Sequence, residues 1–456
     1  MQNLFFSNLL NTIWLMAKSD IVFYGAGFFL MGILSASVGM GILISSLLSF
    51  LMAVIFLFFN VHFPNKKYLW LSGLAAVVIL GNAYYQWRET ELQNNKIIFG
   101  EKVEIAGIVK KAEQRLNNQK IILDDIQIIA NRYPLFEYGD KIKAKGMIKQ
   151  PEGEWAGYFS KEGITGLMQF PEITLIAKKA GSPIRGALYG IKSFFETSYK
   201  QVLPFEQAAF LSGLTLGSTA EFSDELREKL RLTGTTHLVA LSGYNISIIA
   251  KAAAVILGSW WLTRRFSFVL SVLLILGFVI MTGAEASVVR AAIMAMVMLL
   301  ADRVGRPYYF RNAVMLAALT MVLINPKILV FDIGFQLSFA ALLGIIYFRP
   351  LLKKLLRFSD NPGFLNWREH FLTTTAAQFA VLPLVIYYFD YFSPLAILSN
   401  ILILEFIPIT MSLGFFIGFA SLIAYPLAWI VSFPTGIFLM YELTIINLFA
   451  FIAKLI

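Results

Sequence analysis

The chain of 456 residues is 58% hydrophobic and 14% charged, and its mean hydropathy is +0.69. A soluble globular chain of this length does not need that much apolar surface, so the composition excludes that class and indicates a protein that crosses a membrane several times. Cysteine is absent, which excludes disulfides, thiolate catalysis and cysteine-type zinc sites, and three histidines argue against a histidine-rich metal centre. We expect no resident metal or cofactor.

Residues 1–85 predict N-terminal membrane helices. Residues 21–63 form one long apolar run that SASVGMG, at 35–41, divides in two, and residues 68–85 form a third apolar segment. Because about 20 residues span a bilayer, these segments predict three spans, the first two joined by a tight connection.

The character of the chain changes between residues 86 and 180. Charges become frequent, and apolar residues alternate with polar ones in short runs such as KVEIAGIVKKAEQ and GDKIKAKGMIKQP, which Gly, Asn-Asn and Pro separate. Alternation of period 2 between turn residues is typical of β-strands. About five short strands within this length predict a small β-barrel such as an OB-fold.

Charge placement predicts the side of the membrane on which this domain lies. Basic residues cluster in every second short loop, at 264–265, 303–311 and 349–368, and Lys66 and Lys67 mark the same side near the N-terminus. Cytoplasmic loops carry the excess of lysine and arginine, so these loops should face the cytoplasm. One crossing later, residues 86–180 are therefore predicted to be extracytoplasmic, in a multi-pass protein of the cytoplasmic membrane.

The predicted external domain is basic near its turns and along one strand. Alternation puts the lysines at 141, 143 and 145 on one strand face. One interpretation is a solvated strand edge that lysine protects from pairing. The other is a track for a polyanion, since OB-folds hold single strands in basic grooves. The candidate DNA-binding residues are Lys110, Lys111, Arg115, Lys120, Lys141, Lys143 and Lys145.

The rest of the chain divides into two predicted parts. Residues 181–236 contain an amphipathic stretch and a helix that Ser223 caps, which predict interfacial helices. Residues 237–456 contain eight long apolar segments, and one of them covers 394–424. The whole chain is thus predicted to be a polytopic α-helical membrane protein of about 10–11 spans with an inserted β-barrel.

Polar side chains interrupt the apolar pattern at four places within the predicted spans. A charge at the bilayer centre costs at least about 2.5–3.5 kcal/mol, so Arg290 should face a water-filled path or a counter-charge such as Glu285 or Asp332. Elsewhere the polar groups either line such a water-filled path or form hydrogen bonds that hold neighbouring helices together. The candidate path residues are His237, Ser242, Gly243, Asn245, Arg290, Asp332, Gln336 and Gln378.

His237 and Ser242 also invite interpretation as a hydrolase pair. They are five positions apart, which places them on different faces of a helix, and no G-x-S-x-G elbow surrounds the serine. We therefore predict no catalytic residues and no enzymatic activity.

Several longer motifs carry a family resemblance. They are LSGLTLG at 211–217, THLVALSGYNISII at 236–249, SVVRAAIM at 287–294, DIGFQLSFAALLGI at 332–345 and the segment 378–402. In this order they make the sequence resemble the ComEC family of competence proteins, which form the inner-membrane channel for DNA uptake. The strand-rich segment with GEWAGYFSKEGI looks like that family's extracytoplasmic OB domain.

The sequence departs from the family pattern in two respects. The family usually reads His-Leu-x-x-x-Ser-Gly-x-His, and Asn245 stands at the second histidine, so no role that needs two histidines is expected. Many members also carry a C-terminal metallo-β-lactamase-like domain, which this chain is expected to lack because it ends at Ile456 in an apolar segment.

The resemblance implies a channel for single-stranded DNA in natural transformation. It implies contact with single-stranded DNA and membrane lipid, and cooperation with a DNA receptor, a cytoplasmic DNA-binding or helicase protein and a separate nuclease. Two alternatives stay open. A secondary transporter of a small solute would show inverted repeats, and a polytopic membrane enzyme would show clustered carboxylates or a metal-ligand set.

Overall fold

The chain forms two compact units in a computed structural model that describes residues 18–38, 47, 49–51, 54–55, 66–92, 99–241, 243, 245–249, 263–358 and 366–455. The smaller unit comprises the described residues of Met1–Ile97, Glu154–Glu162 and Leu300–Gln336. The larger unit comprises those of Ile98–Gly153, Gly163–Leu299 and Leu337–Ile456.

Helices dominate the described residues. In chain order they are α1 (Lys18–Ser37), α2 (Lys66–Leu92), α3 (Ala156–Lys161), α4 (Pro183–Val202), α5 (Phe205–Leu216), α6 (Asp224–Leu232), α7 (Thr236–Val239), α8 (Arg264–Met281), α9 (Ala286–Val304), α10 (Phe310–Ile324), α11 (Ile328–Phe331), α12 (Ile333–Leu355), α13 (Trp367–Phe389), α14 (Ala396–Ile403), α15 (Ile407–Ile423) and α16 (Tyr425–Leu455). The strands are β1 (Lys102–Gln114), β2 (Asn118–Leu123), β3 (Ile126–Asn131), β4 (Lys141–Lys149), β5 (Gly166–Gln169) and β6 (Glu172–Ala177).

The strands form the closed barrel that the alternating pattern predicts. Their order is β1-β2-β3-β5-β4, and β4 pairs back onto β1 and so closes five strands, while β6 adds to β4. The pairing of β3 with β5 is parallel, and the other pairings are antiparallel. Ile142 and Ala144 of β4 point into the barrel and are fully buried, so alternation along the strand turns its lysines outward.

Four described helices are long and apolar enough to cross a membrane by length and composition, namely α8, α12, α13 and α16. The count becomes five if α14 and α15, which meet at a 52° bend, are taken as one broken span. This is fewer than the predicted total, partly because much of two predicted spans, at about 42–63 and 237–263, lies outside the described residues. Helix α9 carries Arg290, Asp302 and Arg303, which makes it more polar than those four.

Two glycines bring α1 and α2 of the smaller unit into close contact. A Cβ on Gly32 would lie 2.1 Å from the Val78 carbonyl oxygen, and one on Gly81 would lie 2.2 Å from the Phe29 carbonyl oxygen. Small residues that let backbones approach in this way are typical of helix contacts in membranes, where apolar burial gives little driving force.

Replacing Gly81 with alanine should destabilise the packing of α1 on α2 by about 1–3 kcal/mol, because the added methyl group would overlap a backbone carbonyl. Thermal unfolding in detergent micelles measures the change. Gly73→Ala on the same helix is the matched control, since a Cβ at Gly73 meets nothing within 4 Å. That control should be neutral or stabilising by up to about 1 kcal/mol, and equal destabilisation by both changes would contradict the close contact.

Candidate nucleic-acid interface

Arg290 is a buried cation in α9 of the larger unit. Only 7% of its surface is exposed. Its Nη1 donates to the Ser338 carbonyl oxygen at 2.5 Å, and its guanidinium lies 5.7 Å from the centre of the Phe339 ring. Among the described residues, its buried Nε has no hydrogen-bond partner and no carboxylate lies at ion-pair distance from the guanidinium. The guanidinium therefore keeps donors and a positive charge available for an anion.

The segment around Gly243 lies directly against this guanidinium. A Cβ on Gly243 would be 3.9 Å from Nη2 of Arg290 and 3.6 Å from Cβ of Ala291. The Ser287 hydroxyl donates to the Leu241 carbonyl oxygen at 2.5 Å and so ties this segment to α9. Two predicted path residues, Gly243 and Arg290, are thus neighbours, while Ser242 lies outside the described residues.

Asn245 has a structural partner. Its side chain is 3% exposed, and its Nδ2 donates to the Leu214 carbonyl oxygen at 2.7 Å. Leu214 lies in the last turn of α5, where helix carbonyls have no partner within the helix. Asn245 therefore satisfies a buried carbonyl, which is the helix-contact role that the sequence left open beside a path role.

The remaining two candidates of the larger unit lie apart from these contacts. His237 is exposed on the short helix α7, with its Nδ1 3.1 Å from the Gly234 carbonyl oxygen. Gln378 is half-buried on α13. A Cβ on Gly344 of α12 would lie 2.6 Å from the carbonyl oxygen of Ala376. At about 100° per residue, Gln378 faces away from that contact between α12 and α13.

Asp332 and Gln336 lie in the smaller unit, and both side chains make local contacts, while Oε1 of Gln336 is buried without a hydrogen-bond partner among the described residues. Asp332 accepts from Lys161 at 2.9 Å and from the backbone N–H of Phe335 at 2.8 Å, so it caps the start of α12. Gln336 donates to the Leu329 and Val330 carbonyl oxygens at the end of α11. Neither residue needs a transported strand to explain its position.

The Lys161–Asp332 pair is one of three partly buried ion pairs in the described residues of the smaller unit that sequence reasoning missed. Lys161 also pairs with Glu162 at 2.5 Å, and Lys327 pairs with Glu89 at 2.9 Å. Burial alone would lower the pKa of Lys161, but hydrogen bonds to Glu162 and Asp332 outweigh it and raise the pKa. Because 171 residues separate Lys161 from Asp332, spacing gives no signal for the pair.

The lysines of β4 form one exposed face, as the alternation predicts. Lys141, Lys143 and Lys145 are exposed, and Lys143 pairs with Glu104 of β1 at 2.7 Å. The strand-edge interpretation is wrong, because β4 pairs with β1 on one side and with β5 and β6 on the other. Lysine has no free edge to protect there, so its excess on this face needs another explanation.

The other four basic candidates of the barrel lie on β1, on β2 or in the turn between them, and not on β4. Lys110 pairs with Asp124 at 3.5 Å, and Lys111 lies beside Gly283 at the register shift of β1. Arg115 is half-buried at the turn after β1, and Lys120 is half-buried opposite Glu113. Sequence reasoning missed Lys102, an exposed lysine that the register places beside β4, opposite Met147.

Comparison with known proteins decides the family. The family model for "Competence protein" matches residues 214–455, which is more than half of the chain. The chain belongs to the ComEC family of competence proteins. ComE operon protein 3 of Bacillus subtilis (strain 168) is 29% identical over 205 residues. That alignment covers 45% of this chain and only 25% of the relative, and no solved structure matches the chain.

The family match places Asn245, Arg290 and the surrounding helices inside the competence region and leaves the barrel outside it. Family membership together with the apolar helices indicates a membrane protein. The barrel has to be interpreted from its own strands and charges.

Replacing Lys141, Lys143 and Lys145 together with glutamine should weaken binding of single-stranded DNA to the purified chain. The slope of log affinity against log salt concentration is negative, and each lost lysine–phosphate contact makes it less negative by about 0.7. The triple variant should therefore have a slope that is smaller in magnitude by up to about 2. Fluorescence anisotropy across a salt series measures both quantities.

The matched control replaces Lys110, Lys111 and Lys120, which removes the same charge from β1 and β2 of the same barrel and leaves β4 unchanged. It should leave affinity and slope close to those of the unmodified chain. Equal losses in the two triple variants would indicate a general charge effect and contradict a DNA track on β4.

Proposed function

We propose that this chain conducts single-stranded DNA across the cytoplasmic membrane during natural transformation. Its membership of a competence family points to a role in DNA uptake. The observation that carries the proposal is Arg290, a buried guanidinium beside a glycine, whose Nε has no hydrogen-bond partner among the described residues. A phosphodiester backbone supplies one negative charge per nucleotide, so a passing strand would give this cation a partner at each step.

Arg290 suits a moving anion better than a fixed one. Its fixed contacts are a backbone carbonyl and an aromatic face, and both leave its charge uncompensated. A permanent carboxylate partner would compete with phosphate for the guanidinium. A guanidinium that has no carboxylate partner can bind a phosphate and release it again. Because Gly243 has no side chain, none from this position covers Nη2.

The barrel would receive the strand before it enters the helical domain. We take the barrel to be an extracytoplasmic OB-fold, because it closes five strands and carries a basic face. On that face Lys102 and the four lysines of β4 outnumber Glu104 and Glu172, so the excess charge is positive. Single-strand binding to barrels of this kind combines such charges with stacking and is strongly salt-dependent.

In this function the helices form a multi-pass domain of the cytoplasmic membrane, in contact with lipid. The chain itself performs no enzymatic step, and other proteins carry out the rest of the uptake process. Those partners are a DNA receptor outside, a DNA-binding or helicase protein in the cytoplasm and a separate nuclease.

Arg290→Gln should reduce DNA uptake by about tenfold or more while protein levels hold. A hydrogen bond to a charged group contributes about 1.5–3 kcal/mol, and its loss at each step slows transit. Arg290→Lys keeps the charge without the planar donor set and should retain part of the activity. Internalised fluorescent DNA, normalised to the amount of chain in the membrane, is the measurement.

Arg306→Gln is the matched control, because Arg306 is exposed and removing it changes the net charge equally. It should leave uptake unchanged. Normal uptake in Arg290→Gln would make Arg290 a packing residue and would overturn the proposed path.

A further inference from the structure

Glu442 is a fully buried carboxyl group in the longest helix of the described residues. Its residue is 0% exposed, and it lies within α16, whose other charged residue, Lys454, is near the C-terminal end. The neighbouring side chains are apolar: Leu439, Leu443 and Ile446 on the same helix and Ile407 and Met411 on α15 are buried in one hydrophobic cluster. Sequence reasoning did not select Glu442.

Only one of the two oxygens of this carboxyl group has a hydrogen-bond partner among the described residues. The Thr410 hydroxyl donates to Oε1 at 2.5 Å, while Oε2 is buried and has no partner among the described residues. Thr410 also lies 3.2 Å from the Phe406 carbonyl oxygen, so its single proton is shared between two acceptors. The part of the chain that the structure describes places no cation within ion-pair distance of Glu442.

The surrounding elements supply no compensating charge within the described residues. Helices α14 and α15 contain no ionisable side chain, and α5 contributes only Glu206, which is exposed in its first turn. Helix α4 meets α16 at the other end, where Tyr425 donates to the Gln201 carbonyl oxygen. The charges of α6 lie near Lys454. The ionisable residues of these two helices are Arg185, Tyr189, Lys192, Glu196, Tyr199 and Lys200 on α4, and Asp224, Glu225, Arg227, Glu228, Lys229 and Arg231 on α6.

A carboxylate in this place would be a buried charge with one shared donor, which is among the most costly arrangements in a protein. A bound proton removes the charge and leaves a neutral acid, for which one hydroxyl donor is sufficient. We propose that Glu442 is a proton-binding site, which takes up and releases a proton as α14 and α15 change their bend against α16. The proposal does not depend on DNA as the cargo.

The position of Glu442 beside a break in a helix supports release as well as uptake. Helices α14 and α15 meet at a 52° bend next to Leu404–Phe406. Phe406 packs on the Tyr441 ring at 5.0 Å, and the Tyr441 hydroxyl donates to the Leu402 carbonyl oxygen. Irregular backbone at membrane depth is tolerated where protein or water satisfies it. A change of bend would move Thr410 and admit water to Oε2.

The far side of the break has its own ionic contact. Glu405 accepts from Asn366 and lies 2.7 Å from Nε2 of His370. Glu405 is thus occupied by α13 and its N-cap, while Glu442 faces Thr410 on α15. Two acids at one break therefore differ in environment, and Glu405 provides a control for Glu442.

Infrared spectroscopy of the full chain in lipid vesicles tests the proposal through the C=O stretch of a protonated carboxyl group. The band should be present at neutral pH, should decline as the pH is raised, and should be missing in Glu442→Gln. Glu405→Gln should keep it. Thr410→Val removes the donor to Oε1, so the same titrating band should shift to higher frequency.

Two results would overturn the proposal. In the first, the unmodified chain and Glu442→Gln have an identical band, which would mean that Glu442 is ionised. In the second, the band never declines as the pH is raised while the chain stays folded, which would mean that Glu442 is a permanently neutral structural acid. If Glu442→Gln fails to fold, the Thr410→Val shift decides alone: a titrating band that shifts supports the proposal, and a band that does not move contradicts it.

Discussion

The burial of α5 beyond its first turn is the constraint on which the larger unit depends. Every residue from Ala208 to Leu216 is buried, so other elements must pack against all sides of the helix and supply partners for its buried polar groups. Glycines allow the close approach: a Cβ on Gly414 of α15 would lie 2.8 Å from Leu211, and one on Gly213 would lie 2.7 Å from Phe222. Because the carbonyls of a buried helix end need donors, the Asn245 amide is fixed on Leu214.

That fixed amide positions the proposed path. Asn245 ties the segment 241–249 to α5, and Ser287 ties Leu241 to α9, so Gly243 is held against the Arg290 guanidinium. The polar residues at the start of this motif thus divide into two roles. Asn245 makes the packing possible, and Gly243 places no side chain against the cation.

Much of the fold could be predicted from local pattern, and most of the site could not. Alternation in β4 predicted the lysine face, but its pairing with β1 depends on closure between segments about 40 residues apart, so the edge interpretation failed. Residues 394–424 read as one apolar segment, and only Pro408, near the start of α15, signals the break. Glu442 is the lone acid of its apolar helix, but its contact with Thr410 required the tertiary structure.

The most direct measurement of the central claim is covalent mapping of a DNA strand arrested during transit. A single strand that carries a photoreactive base and a bulky block at its trailing end would be taken up, crosslinked and located by mass spectrometry. The proposed path predicts adducts on peptides that contain Gly243 and Arg290, in addition to those on the β4 face. Adducts confined to the barrel, or found on the helical domain only away from these two residues, would contradict it.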